Sequence, residues 1–196
     1  MVEIFRCARA EVYHNSGKKT LTQVKKETGC THIINGYLFN SSFRPLGWTV
    51  IDGKIISRDA YRDWGVSIGA DRRPVMDTDR GGRFLSGVPL LKNGQKLKRE
   101  LTADVARSAA RTAVGWMPDG RVVLWCDKTS LTRDQLQNKL LGLGVSDALM
   151  LDGGGSTQGR FPDGAVASSR KVATLLLFWQ ETEVAAALEN PVMKWA

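Results

Sequence analysis

The chain has 196 residues, 42% of them apolar and 24% charged, a length and composition that build a buried core in one domain and exclude intrinsic disorder. Its 28 Lys and Arg exceed its 20 Asp and Glu, and the net charge of +8 points to an anionic partner. Charge alone does not choose among nucleic acid, a membrane surface and a phosphorylated small molecule.

In chain order, residues 4–13 alternate weakly and predict a strand. Residues 20–28 (TLTQVKKET), closed by Gly29, predict a short helix with a glycine stop. Residues 32–35 predict a short apolar strand running into a glycine turn. Residues 48–51 and 54–56 flank Asp52-Gly53, a two-residue hairpin signal. Residues 64–68 and 84–91 read as further strands, the second ending at Asn93-Gly94, with the charged stretch 71–83 between them read as a loop.

Residues 112–117 and 121–125 predict a hairpin around Pro118-Asp119-Gly120. A helix then starts at Thr132, which makes a capping box with Gln135 while Leu131 can staple onto Leu136. Leu136, Leu140 and Leu143 form its buried stripe, and Gly144 ends it. Residues 148–151 predict a buried strand that delivers Asp152-Gly153-Gly154-Gly155-Ser156. Residues 172–179 form a continuous apolar strand, predicted to be central, and residues 181–188 a helix before Pro191. The sum is a mixed α+β (α/β) domain over residues 1–180, with a hairpin-rich mixed β-sheet core flanked by a few helices. A C-terminal helical tail follows over 181–196.

No basic start leads into an apolar stretch of roughly 7–15 residues, as a secretory signal would. The longest apolar runs fall short of the ~20 residues of a membrane helix. The expected setting is cytoplasmic, with no membrane partner; a phage-encoded protein acting in the host cell or during lysis fits the same pattern. Cys7, Cys30 and Cys126 are odd in number and form no CxxC pair, so they read as reduced core cysteines.

The sharpest chemical feature is the strand–DGGGS turn. A buried strand fixes the backbone, Asp152 supplies a carboxylate, and three glycines let a ligand approach the backbone N–H groups. Such a pairing suits general acid–base or nucleophilic work on an anionic substrate. The plainer possibility is a glycine-rich turn whose Asp caps backbone amides. The turn is not a P-loop, since no Lys follows the glycines, nor a dinucleotide fingerprint, since no helix pattern follows Gly155. Arg111 and Arg170 each precede an apolar strand, as solvated strand ends or as a clamp for phosphate. His14 and His32 lack ligand spacing, and no nucleophile elbow accompanies them. The six Trp read as core residues, with room for one or two in a pocket.

Four segments, in order, resemble the phosphodiester glycosidase family, the family of the lysosomal uncovering enzyme. Ile34-Asn35-Gly36-Tyr37-Leu38-Phe39 is similar to its strand-turn, with Tyr37-Leu38 in place of Gly-Phe. Ser86-Gly87-Val88-Pro89-Leu90-Leu91-Lys92-Asn93-Gly94 resembles its Pro-Leu-Leu hairpin. Arg111-Thr112-Ala113-Val114-Gly115, through Asp119-Gly120 to Asp127, resembles its R-T-A-I-G stretch, although Lys128 follows Asp127 instead of Gly-Arg. Ala148-Leu149-Met150-Leu151-Asp152-Gly153-Gly154-Gly155-Ser156 resembles its signature, with Met150 where Asn is usual.

The resemblance implies a hydrolase that cleaves a sugar from a phosphodiester carried on a small molecule or glycan. Phosphate is a good leaving group, so such a site needs cations more than a strong acid. On this reading Asp152 is nucleophile or general base, Arg111 and Arg170 bind phosphate, and Gly153, Gly154 and Gly155 add amide donors. Asn35 and Ser156 orient sugar or water, and Asp127 is the candidate second carboxylate. No cofactor is required by these motifs, and a divalent metal stays open. The alternative is a non-catalytic module for a phosphorylated glycan or nucleotide-like ligand. Nucleic-acid binding is the third class, but the basic pairs Lys18-Lys19, Lys25-Lys26 and Arg72-Arg73 and the run 96–99 are scattered and lack a binding motif.

Overall fold

The computed structural model describes residues 1–58, 63–98, 103 and 107–182. Beyond residue 182 the predicted helical tail lies outside the described residues. In chain order the first half holds β1 (Val2–Phe5), β2 (Cys7–His14), α1 (Leu21–Thr28), β3 (His32–Asn35), β4 (Thr49–Ile51), β5 (Lys54–Ser57), β6 (Gly65–Ile68) and β7 (Pro74–Asp77). There follow β8 (Arg83–Ser86), β9 (Val88–Lys92), β10 (Gln95–Lys96), β11 (Ala109–Trp116) and β12 (Val122–Leu131). The chain continues through α2 (Arg133–Gly142), β13 (Asp147–Met150), β14 (Gly159–Arg160), β15 (Ala165–Val166) and β16 (Thr174–Gln180).

The strands form three sheets. A six-stranded sheet runs β1-β12-β11-β13-β9-β10, one five-stranded sheet runs β15-β14-β3-β16-β2, and the other runs β5-β4-β8-β6-β7. Every pairing among the described residues is antiparallel. The α+β class therefore holds with β dominant, and the mixed sheet is corrected to antiparallel ones. A parallel pair needs a long crossover, usually helical, and this chain has only two helices among its described residues.

Both helices start where their capping boxes sit. Gln23 N–H donates to Thr20 Oγ1 (3.2 Å) and Thr20 N–H to Gln23 Oε1 (2.8 Å). Thr132 and Gln135 repeat the pattern. Gly29 closes α1 at φ 68°. The run 172–179 is apolar but for the buried Thr174 because β16 is buried on two faces: Leu176 and Phe178 enter the main core, while Leu175 and Leu177 pack with Leu21 and Val24 of α1.

Three sequence expectations change. The strand predicted over 4–13 breaks at Arg6 into β1 and β2, which belong to different sheets. The strand predicted over 84–91 breaks at Gly87 for the same reason; a Cβ there would lie 3.1 Å from Leu149 Cβ, so the chain crosses close over β13. The predicted loop 71–83 contains β7, whose Pro74 and Met76 are buried and whose Val75 and Asp77 are exposed. Short alternation marks a strand but not the sheet it joins.

Candidate active site

The site lies where two sheets exchange a strand end. After β13, Leu151 N–H donates to Thr112 O of β11 (2.9 Å), and Asp152 N–H then donates to Gly36 O beyond β3 (3.1 Å). Asn35, the last residue of β3 and fully buried, locks this junction. Its Nδ2 donates to Asp152 O (2.8 Å) and Gly36 O (3.1 Å), and its Oδ1 accepts from Thr112 Oγ1 (2.7 Å) and Gln158 N–H (3.1 Å). Both donors and both lone pairs are thereby used inside the protein. Asn35 holds the loop rather than pointing its amide at a sugar or water.

The glycines then have separate jobs. A Cβ on Gly153 would stand 2.6 Å from Ala110 O, so only glycine lets the loop lie against β11. Gly154 has φ 57°, the left-handed region. A 3₁₀ turn over Gly154–Ser156 follows, with Ser156 N–H donating to Gly153 O (3.1 Å) and Thr157 N–H to Gly154 O (3.2 Å). The leading N–H groups of such a turn have no partner within it. Asp152 is half-buried, and its Oδ1 accepts Gly153 N–H (2.9 Å), so the capping role foreseen for it is real.

Asp152, Gly153 and Gly154 line a cavity of about 60 Å³ with Tyr37, Arg107 and Arg111. That is roughly the liquid volume of two waters. Arg111 is 3% exposed. Its Nε donates to Leu131 O (2.9 Å) and its Nη2 to Arg107 O. Burial, then the Arg107 cation, lower its pKa from the ordinary arginine value; a guanidinium keeps its proton in such surroundings. A register shift opposite Ala109 and Arg111 gives β12 extra residues here, and Lys128 in that bulge donates to Thr157 O (2.5 Å).

Arg170 stands at the other end of the loop. Its Nη1 is 3.5 Å from Ser156 Oγ, and its guanidinium lies 5.8 Å from the Phe39 ring centroid. Ser168 Oγ donates to Gly155 O (2.6 Å) and accepts Arg170 N–H (3.1 Å), which ties this segment to the loop. Ser156 is fully buried beneath it. The two arginines expected to converge therefore flank the loop, Arg111 beside Gly153 and Arg170 beside Gly155 and Ser156.

Asp127 is not brought to the cavity. It accepts Thr129 N–H (2.7 Å). Partial burial works to raise its pKa, but the Thr129 hydrogen bonds, the N-terminal ammonium and Lys139 outweigh that and leave it lowered. Asp152 is the one carboxylate lining the cavity among the described residues. Arg107, which the sequence reading missed, reaches to 3.9 Å from where a Cβ on Gly154 would stand. Its only signal was its place four residues before Arg111, on the approach to β11.

The Trp residues do not line this cavity among the described residues. Trp116 Nε1 donates to Pro74 O (2.6 Å), and Arg80, Lys92, Lys139 and Arg9 lie over Trp48, Trp64, Trp125 and Trp179. All three cysteines are free and buried, with burial pushing Cys7 and Cys126 up to about 12. Among the described residues no group of three His, Cys, Asp or Glu is placed to hold a metal, and no helix is long and apolar enough to cross a membrane.

A model of the phosphodiester glycosidase family matches residues 28–179. The chain belongs to the phosphodiester glycosidase family. Its fold is similar to that of the zebrafish N-acetylglucosamine-1-phosphodiester alpha-N-acetylglucosaminidase catalytic domain, auto-inhibited by its pro-peptide. That match has a TM-score of 0.71 at 22% identity and covers 88% of this chain and 73% of that one. A hypothetical protein from Synechocystis matches with a TM-score of 0.70 at 11% identity, covering 92% of this chain and 57% of that one. A search of the curated proteins finds no match.

In this phosphodiester glycosidase the four matching segments meet at one place. The first supplies Asn35 and Tyr37, the second brings Val88 to the cavity wall, the third supplies Arg111 and Thr112, and the fourth supplies the glycine loop. Met150, where the family usually has Asn, is 1% exposed, packs in the core and also lines this cavity, so the departure puts an apolar side chain in the cavity wall.

Proposed function

We propose that this enzyme hydrolyses the glycosidic C–O bond of a sugar-1-phosphodiester, giving the free sugar and a phosphomonoester. The phosphate oxygen leaves with the bonding electrons, and the oxygen of water ends on the sugar's anomeric carbon. Asp152 acts on that carbon as nucleophile or takes the proton of the attacking water. Arg111, fixed by two carbonyls, meets the charge that grows on the departing phosphate, with the Gly154 and Gly155 N–H groups as further donors. Arg170 meets the outer side of the phosphate, with the buried Ser156 hydroxyl beneath it as a positioning group. Asn35 acts through the loop, as a positioning residue.

The supporting observation is that the Asp152 carboxylate and the buried Arg111 guanidinium line one small cavity. One carboxylate is enough because a phosphate leaves without a strong acid, unlike an alkoxide in an ordinary glycosidase. The test is Asp152→Asn against a panel of sugar-1-phosphodiesters with different sugars and arms. The substitution lowers kcat by roughly 10²–10⁴-fold, the range of an acid–base or nucleophilic group, and leaves affinity for inorganic phosphate unchanged. A wild-type chain inactive across the panel, or an active Asn variant, would sink the assignment.

A further inference from the structure

Beyond Arg170 a second, larger recess of about 200 Å³ opens beside the glycine loop. The first turn of α1, the β14–β15 hairpin and the segment 167–172 wall it. Four cationic side chains line it: Lys19, Arg160, Arg170 and Lys171. Lys19 is neutralised by Glu27 (2.7 Å). Arg160, Arg170 and Lys171 have no ion pair among the described residues, and no carboxylate lines the recess among them. Several basic groups that looked similar in sequence are paired: Arg72 with Glu11, Arg73 with Glu181 and Lys96 with Asp134.

The recess adjoins the glycine loop through Arg170 and Ser168. Arg170 belongs to both, since its guanidinium lines the recess while Nη1 approaches Ser156 Oγ. Its carbonyl accepts Gln158 Nε2 (2.8 Å), and Ser168, also in the wall, holds Gly155 O. The first turn of α1, which carries no acidic residue, presents its positive end to the same space.

We propose that this recess binds a second phosphate on the arm of the substrate that departs with the scissile phosphate. The inference rests on the hydrolase reading above and narrows its substrate class to sugar phosphodiesters whose leaving arm is itself phosphorylated. Arg170 stands between the two phosphates, while Arg160 and Lys171 receive the outer one. The ligand is not an oligonucleotide, because no aromatic ring lines the recess among the described residues and bases would have nothing to stack on.

The test is calorimetric titration with inorganic tripolyphosphate and with orthophosphate at low salt. It uses the wild type, the exposed double variant Arg160→Gln/Lys171→Gln, and a charge-matched control, Lys54→Gln/Lys98→Gln. Tripolyphosphate binds the wild type and the control at least tenfold more tightly than orthophosphate. In Arg160→Gln/Lys171→Gln that ratio falls toward one while orthophosphate affinity holds. An unchanged ratio there, or an equal fall in the control, overturns the proposal.

The same proteins are then assayed on two diesters of one sugar, one with a neutral alkyl arm and one with a phosphorylated arm. The double variant loses kcat/KM only on the phosphorylated one. Equal rates on both diesters in every protein overturn the subsite and leave the hydrolase reading intact. No hydrolysis of either, with the tripolyphosphate result intact, overturns the hydrolase reading and leaves the anion-binding recess standing.

Discussion

Arg111 and Arg170 flank one glycine loop, yet the protein holds them in opposite ways. Arg111 is 3% exposed and clamped by the carbonyls of Leu131 and Arg107. Arg170 is exposed, and among the described residues its guanidinium makes a long contact to Ser156 Oγ and a distant one to the Phe39 ring. A cation fixed before the substrate arrives costs no reorganisation as charge develops, so it acts on the transition state. A cation in solvent attracts the ground-state anion as much as the transition state, so it acts on binding. On the proposed function, the inner side of the loop serves chemistry and the outer side capture.

The comparison is broken most severely at Arg111. Arg111→Lys keeps the charge but cannot bond both carbonyls, and kcat falls by roughly 10²–10³-fold with KM little changed. Asn35→Ala follows, since it removes four side-chain hydrogen bonds, two of which, with Asp152 O and Thr112 Oγ1, reach across to the other sheet. At roughly 1 kcal/mol each, denaturant unfolding reads a loss of about 3–4 kcal/mol, together with a fall in kcat because the loop is no longer held.

Acid acts on the fold through a buried histidine. His32 stacks on Phe5 with ring centroids 3.9 Å apart, and burial, followed by the Lys25 cation, lowers its pKa to about 4. The unfolded chain takes up that proton near pH 6.5 and the folded chain only near pH 4. Stability is therefore complete above about pH 6.5 and is lost progressively down to pH 4, by up to about 3 kcal/mol. A midpoint of urea unfolding that stays flat across that interval contradicts this placement of His32. The smallest effect is Arg170→Gln, which raises KM roughly fivefold at unchanged kcat, in line with about 1 kcal/mol for an exposed charge contact. A drop in kcat instead would place Arg170 on the inner, chemical side.

Much of this was legible because it is local. The capping boxes at Thr20 and Thr132, the Asp52-Gly53 and Asn93-Gly94 turns and the glycine loop after a buried strand are short patterns with a physical cause, and the structure contains each of them. What escaped reading is what depends on distant partners. The sheet changes at Arg6 and Gly87 leave no periodic trace, and Pro74–Asp77 is too short and too charged in its surroundings to stand out as a strand. Asn35 looked like a substrate ligand because nothing in its segment announces that Thr112, Gln158 and Asp152 surround it. Asp127 pairs with Arg111 in register across the hairpin, but its carboxylate turns back on Thr129. The net charge of +8 was the least specific signal: some of its cations are paired at the surface, while Arg160, Arg170 and Lys171 near the glycine loop have no ion pair among the described residues.

Everything assigned to the loop depends on which bond breaks. Hydrolysis of an active sugar-1-phosphodiester in ¹⁸O-labelled water, with both products analysed by mass spectrometry, decides it. Glycosidic C–O cleavage puts the label in the sugar hydroxyl and leaves the phosphomonoester unlabelled, and this is the expected result. Label in the phosphate would mean P–O cleavage, a phosphodiesterase in place of a glycosidase, and would contradict the roles of Asp152 at the anomeric carbon and Arg111 at the departing phosphate.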